Sequence, residues 1–374
     1  MKIVYNVHKE IIREETELAK VKEILKKAAK RYFIDAMGAM AQGLFCSLLI
    51  GTIIKTVGQL TGVAFITEVG QFAFEMAGPA MAVAIGYALS ADPLVLFSLT
   101  AVGWAANAKG GAGGPLAVLI IAIVAADLGR LVSKKTKIDI LVTPLVTVVS
   151  GVALAVLIAP PIGTAASWVG NAIMWATDLQ PFLMGILVSV IVGIALTLPI
   201  SSAAICAALG LTGLAGGAAV AGCCAQMVGF AVMSFRENKW GGLISQGVGT
   251  SMLQMGNIVK NPRIWIPPIL TSAITGPLAT CLFRMTMNGT PVSAGMGTCG
   301  FVGQIGVITG WFTPSEAAVA AGATAATPGV FDWIGFALIC FILPAVLTWA
   351  FGLVLRKIGW IKDGDLKLTL VKKA

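Results

Sequence analysis

Across residues 179–235 the chain carries no Asp, Glu, Lys or Arg. A water-soluble domain does not bury that much apolar chain in one piece. A bilayer accepts it, since a spanning helix needs roughly 20 apolar residues. Yet the stretch is not two plain hydrophobic helices. It holds Pro199, Ser201, Ser202, Gly210, Gly213, Gly216, Gly217 and Gln226. Broken, glycine-rich backbone is tolerated at membrane depth only where protein buries it or where it lines a cavity. The pattern therefore points to a transporter.

Composition agrees. The chain is 57% hydrophobic and 11% charged, with a mean hydropathy of +0.91, whereas soluble domains carry roughly 25% charged residues. Its 374 residues leave room for roughly ten membrane segments, some of them re-entrant. The expected fold class is an all-α polytopic membrane protein with a scaffold and a substrate-holding domain. Four regions are expected. Residues 1–32 read as a cytoplasmic amphipathic helix. Residues 33–178 form a first membrane half, with the scaffold and part of the transport core. Residues 179–356 form a second half with two broken hairpins, over 201–234 and 288–310. Residues 357–374 are a cytoplasmic tail.

The net charge of +9 does not indicate nucleic-acid binding. The basic residues sit between spans and at the ends, where they set orientation. On that rule the N-terminal segment, the loop 130–137 and the tail from Arg356 lie in the cytoplasm, so both termini do. Residues 1–32 include Glu14, Glu15 and Glu17 and do not read as a cleavable signal peptide. They suit a helix in the headgroup plane or one packed on the protein's own loops. A first span covers 36–54 and is interrupted at Lys55. Residues 107–115 are irregular. A span over 140–162 precedes an interfacial segment over 165–178, where Trp168 and Trp175 suit the headgroup level.

The catalytic inventory is thin, and the chain does not read as an enzyme. Its single histidine is His8, so no Ser–His–Asp arrangement forms within the membrane. The glycine run 110–114 lacks the Gly-Lys-Ser/Thr of a P-loop. Seven cysteines without metal-type spacing give neither a disulfide framework nor a metal site, and no cofactor is expected. No charge rings or filter repeats suggest a simple pore.

The binding inventory is richer. A polar solute crossing a bilayer exchanges its water for protein hydrogen bonds, and neutral side chains at a helix break supply them without burying charge. One cluster is Ser201, Ser202 and Gln226, followed by Gln246, Gln254 and Asn257. The other is Thr290, Ser293, Thr298 and Gln304. Of these, Ser201, Gln226, Gln254, Asn257, Ser293, Thr298 and Gln304 are the candidate solute contacts. Glycine there lets backbone approach a ligand closely; the rival reading is helix packing through small residues. Intramembrane acids are functional candidates by default. Glu68 and Glu316, flanked by apolar chain, are the candidates for coupling a proton or Na+, or for organising a break.

Three segments carry a family resemblance: Leu-Pro-Ile-Ser-Ser-Ala-Ala-Ile-Cys at 198–206, Gly-Val-Gly-Thr-Ser-Met-Leu-Gln-Met-Gly-Asn at 247–257, and Gly-Met-Gly-Thr-Cys-Gly-Phe-Val-Gly-Gln-Ile-Gly at 295–306. The chain resembles the membrane permease subunit IIC of the bacterial sugar phosphotransferase system, in its perfringolysin-regulator-type branch. The resemblance implies a homodimeric permease of the bacterial cytoplasmic membrane. It further implies re-entrant hairpins in a substrate domain that moves against a scaffold, and partnership with separate cytosolic phosphotransferase subunits. The chain departs from the better-known sugar permeases of that system in lacking a membrane histidine, and it carries no phosphocysteine or phosphohistidine domain. The expected function is alternating-access, elevator-like transport of a small polar solute, a sugar or related metabolite. The alternative is a membrane-embedded solute sensor that regulates gene expression through a cytosolic partner.

Overall fold

The computed structural model describes residues 30–368, together with Glu23 and Ala28. The helix expected over 1–32, His8 and the tail beyond Leu368 otherwise lie outside the described residues. Among the described residues the chain is helical, with one isolated antiparallel bridge between Gly213 and Met287. Six helical stretches are long and apolar enough to cross a membrane, and shorter apolar helices accompany them. The fold class is thus the polytopic helical one expected.

The first half begins with α1 (Lys30–Thr61). It does not stop at Lys55, because that ammonium donates to Gln71 Oε1 at 2.7 Å across a helix pair. Gly62, at φ +71°, turns the chain into α2 (Ala64–Glu75) and α3 (Ala77–Ala88), which descend along α1. Gly43 and Gly51 of α1 meet backbone of Ala80 and Phe74, the close approach that small residues permit between membrane helices. Pro93 opens α4 (Pro93–Gly110) at a position where its missing N–H is harmless. Gly111, at φ +51°, then reverses the chain into α5 (Gly114–Val132). The irregular stretch over 107–115 is therefore a single tight turn between antiparallel helices, with Asn107 against Gly114 and Val95 against Gly129.

The span over 140–162 and the segment over 165–178 form one helix, α6 (Asp139–Thr177), with Pro144, Pro160 and Pro161 inside it. Little of α6 is buried, and Leu157, Trp168 and Trp175 are exposed, as expected of a lipid-facing helix. Gly163 meets the carbonyl of Gly110 at the α4–α5 turn. From there α6 runs on for another 14 residues, about 20 Å at 1.5 Å per residue.

The second half is built around α9. In chain order come α7 (Pro181–Thr197), α8 (Ser202–Ala208), α9 (Gly213–Met233), α10 (Phe235–Ile244), α11 (Met255–Lys260), α12 (Pro262–Leu282), α13 (Val302–Phe312) and α14 (Val330–Lys357). The run from Gly216 to Met227 is fully buried. Gly222 of α9 lies on the Ser189 backbone of α7, and Gly276 of α12 on Gly185. Ser189 Oγ donates to the carbonyl of Ser272 at 2.7 Å, pinning α7 to α12 at the same level. α14 completes the bundle, with Thr348 Oγ1 donating to Thr271 Oγ1 at 2.9 Å.

The basic loops gather on one face. Arg31 Nη2 and Tyr32 Oη donate to the two Asp127 oxygens at 3.0 and 2.7 Å. Lys134 pairs with Asp92. Ile34 lies near Gly256, and Asn257 Nδ2 donates to the carbonyl of Lys367 at 3.1 Å. Both ends of the described chain therefore meet on this basic face.

Candidate functional site

Three breaks in helical backbone converge between the halves. The first follows α7. Leu198 takes an extended conformation (ψ 159°) because the residue before a proline is disfavoured in the helical region. Ser201 then caps α8, its Oγ accepting from Ala204 N. Its own N–H donates to the carbonyl of Ala112 at 2.8 Å. That bond ties the break to the glycine turn between α4 and α5.

The second break is a re-entrant hairpin from the face opposite the basic one. Gly213 and Met287 pair at its mouth, and Ser315 N donates to the carbonyl of Asn288 where α13 returns. The tip turns at Gly297, Gly300 and Phe301, all with φ of +52 to +57°. Gly297 sits against Cys223 and Cys224 of α9, so no larger side chain fits there. Ser202 Oγ donates to the carbonyl of Gly295 at 2.7 Å, joining the two tips.

The third break, which the sequence reading did not separate, enters from the basic face. Residues 234–260 rise through α10, turn at Gly249, Thr250 and Ser251, and descend through α11. Gly249 packs on Phe45 of α1. Ser251 Oγ bonds Thr197 Oγ1 at 2.8 Å.

These tips and α1 line a small cavity of about 50 Å³. Leu48 and Leu49 of α1 and Pro115 form one wall. Ser201, Thr250 and Cys299 contribute from the three tips. The lining is largely apolar, but unsatisfied polar groups stand beside it. Buried polar atoms nearly always find a partner, so each exception needs a reason. Gln226 is fully buried. Its Oε1 accepts from Trp265 Nε1 at 2.9 Å and from Thr197 Oγ1 at 3.2 Å, while its Nε2 has no partner. Thr298 Oγ1, between the lining residues Met296 and Cys299, and Gln304 Oε1 are likewise unpaired.

The seven candidate contacts separate into groups. Ser201 lines the cavity, Thr298 lies in the chain between the lining residues Met296 and Cys299, and Gln226 is linked to the third tip through Thr197. Gln304 Nε2 contacts Cys224 Sγ at 3.1 Å. Residues 224 and 226 point about 160° apart on a helix, so Gln304 meets α9 on another face from Gln226. Ser293 lies higher on the second hairpin, bonded to Thr290 Oγ1 at 3.1 Å. Gln254 and Asn257 bond to each other and to the chain's own C-terminal segment. Their N–H groups are shared between neighbouring amides and carbonyls more than 100 residues away. Thr250, which lines the cavity, and Trp265, which bonds Gln226, are not among the sequence candidates; the run Gly-Thr-Ser at 249–251 is the local signal for the first.

Glu68 and Glu316 are both exposed, on α2 and at the start of the short helix Glu316–Ala320. Neither lines the cavity. Glu68→Gln is therefore expected to leave solute affinity within about twofold of the parent, the small effect typical of a surface change. A calorimetric titration of both proteins checks this.

No curated protein matches the chain. A family model described as Phosphotransferase system, EIIC matches residues 34–368, which spans both membrane halves and all three breaks. The chain thus belongs to the EIIC family of the phosphotransferase system, the sugar-specific permease component embedded in the bacterial membrane.

Proposed function

We propose that the chain carries a neutral sugar by alternating access, with the hairpin-bearing second half moving elevator-like against the first. The observation that carries this reading is the cavity between the halves, where three broken segments meet beside unpaired buried amide and hydroxyl groups. Among the described residues no Asp, Glu, Lys or Arg is fully buried. A sugar's hydroxyls satisfy amides and hydroxyls without a counter-charge, whereas a charged solute would be left uncompensated. Ser201, Gln226 and Thr298 are the proposed sugar contacts, with Gln304 and Ser293 shaping the second tip. Glu68 and Glu316 stand away from this site. Separate cytosolic phosphotransferase subunits, rather than a proton or Na+, supply the drive in this reading. A homodimer belongs to it, and Phe65 and Phe72, exposed on α2, offer an apolar face.

A sensor of the perfringolysin-regulator type is the second reading. It is favoured by the C-terminal segment, which is bonded to the hairpin directly beneath the cavity. Flux separates the two. Purified protein in liposomes, given radiolabelled hexoses and the cytosolic phosphotransferase components, is expected to accumulate sugar phosphate. Binding without flux favours the sensor, and neither binding nor flux with any sugar removes both.

A further inference from the structure

Gln246, Gln254 and Asn257 form a continuous chain of amides on the basic side of the cavity. Gln246 Nε2 donates to Ser234 Oγ at 2.8 Å and to the carbonyl of Gly242 at 2.9 Å. Gln246 Oε1 accepts from Gln254 Nε2 at 2.8 Å. Gln254 Oε1 accepts from Asn257 Nδ2 at 2.7 Å. The chain crosses to the C-terminal segment at two carbonyls. Gln254 Nε2 reaches Leu366 O at 3.0 Å, and Asn257 Nδ2 reaches Lys367 O at 3.1 Å.

Asn238 closes the loop from the other arm of the same hairpin. Its Nδ2 donates to Leu366 O at 2.8 Å, and its Oδ1 accepts from Leu368 N at 2.8 Å. The pair of bonds is the pattern of a β-ladder made by one side chain. Leu366 is fully buried beneath it and Ile361 nearly so. Arg356 holds the stem, donating to Glu237 Oε1 at 2.6 Å with both side chains largely buried. Segment 361–368 is thus strapped across both arms of the hairpin whose tip, Gly249 to Met252, walls the cavity.

We infer that this hairpin is the gate between the cavity and the basic face, and that segment 361–368 is its latch. Gln246, Gln254, Asn257 and Asn238 act as positioning residues that set where the tip stands. Neutral amides suit this work. Each has donors and an acceptor on one planar group, so a row of them locks register without burying charge. Local opening proceeds from the least protected contacts. Here those are the part-buried bonds that the segment makes to Asn238 and from its Lys367 carbonyl to Asn257. Losing them leaves Gln254 and Asn257 with unpaired donors and weakens the hold on the tip. The inference rests on the permease reading for its purpose and on the hydrogen bonds for its geometry.

Cys299 is a native reporter, buried in the cavity wall, and Cys340 is buried away from that wall. The exposed Cys46 and Cys281 are first changed to Ser. Inverted membrane vesicles, with the basic face outward, are then treated with a membrane-impermeant maleimide, and each thiol is followed by peptide mass mapping. Two variants break the latch: Asn238→Ala, and a chain ending at Lys362. Both are expected to label Cys299 at least tenfold faster than the parent, with Cys340 unchanged. Cys340 labelling in step with Cys299 would mean general loosening and would overturn the gate. So would an unchanged Cys299 rate in either variant. The measurement needs no sugar. Faster Cys299 labelling in a protein that moves no sugar would keep the gate and remove the permease reading, while flux with unaltered labelling would do the reverse.

Discussion

Gly222→Ala is expected to prevent assembly of the second half, giving no monodisperse peak in detergent. Two opposing effects decide the sign. Alanine is the better helix former, by up to about 1 kcal/mol. Against that, a Cβ at position 222 would fall on the carbonyl oxygen, carbon and Cα of Ser189. A flexible side chain could swing aside, but these are backbone atoms of a packed helix. Nor is separating α7 from α9 an isolated adjustment. The same Ser189 is bonded to Ser272 O, and Gly276 of α12 presses on Gly185 one turn away. Overpacking a core costs typically 1–3 kcal/mol and more where the neighbour cannot yield. The loss here is placed at about 3 kcal/mol or above, a large part of a stability of 5–15 kcal/mol. Gly38→Ala is the control. Nothing stands within 4 Å of a Cβ there, so helix propensity alone acts and the variant is expected to match or exceed the parent. Equal elution and melting for both variants would refute the close crossing of α7, α9 and α12.

The contrast between these two glycines marks the limit of what the sequence discloses. Both sit in apolar helices of similar composition, and only the three-dimensional crossing tells them apart. The fold class was legible because a long charge-free stretch has few fates. The two breaks at Pro199 and at 297–300 were legible because proline and clustered glycine act on local backbone. Lys55, and the division between the span over 140–162 and the segment over 165–178, misled for the converse reason. A charge or a proline usually ends an apolar helix, yet Lys55 is held by Gln71. The residues around Pro160 remain helical within α6.

The candidate site was legible in its residue types but not in their assignment. Gln226 and Gln254 are both buried glutamines in glycine-rich surroundings. One keeps an amide without a partner, and the other gives its amide to Gln246 and Leu366. Leu366 lies 112 positions away from Gln254, beyond any local pattern. The same non-locality hides the third hairpin, whose amides bond its arms to the C-terminal segment.

Gln226 also gives the sharpest test of the sugar site. Gln226→Leu would leave Trp265 Nε1 and Thr197 Oγ1 without their acceptor, confusing a binding effect with a packing one. Gln226→Glu avoids this. One carboxyl oxygen still accepts from Trp265 and Thr197, and only the unpaired donor end changes. When that carboxyl is protonated it offers one O–H where the amide offered two N–H bonds. When it ionises it offers none and adds a buried charge. A hydrogen bond contributes about 1–1.5 kcal/mol net, and 1.4 kcal/mol is tenfold in affinity. The variant is therefore expected to bind sugar about tenfold more weakly than the parent at pH 5, and about a hundredfold or more weakly at pH 8. The parent should be flat over the same interval, because its contacts are uncharged. Equilibrium binding of a labelled hexose at the two pH values reads both numbers. A variant that keeps parental affinity at pH 8 would place the sugar elsewhere and leave the free amide of Gln226 without a ligand.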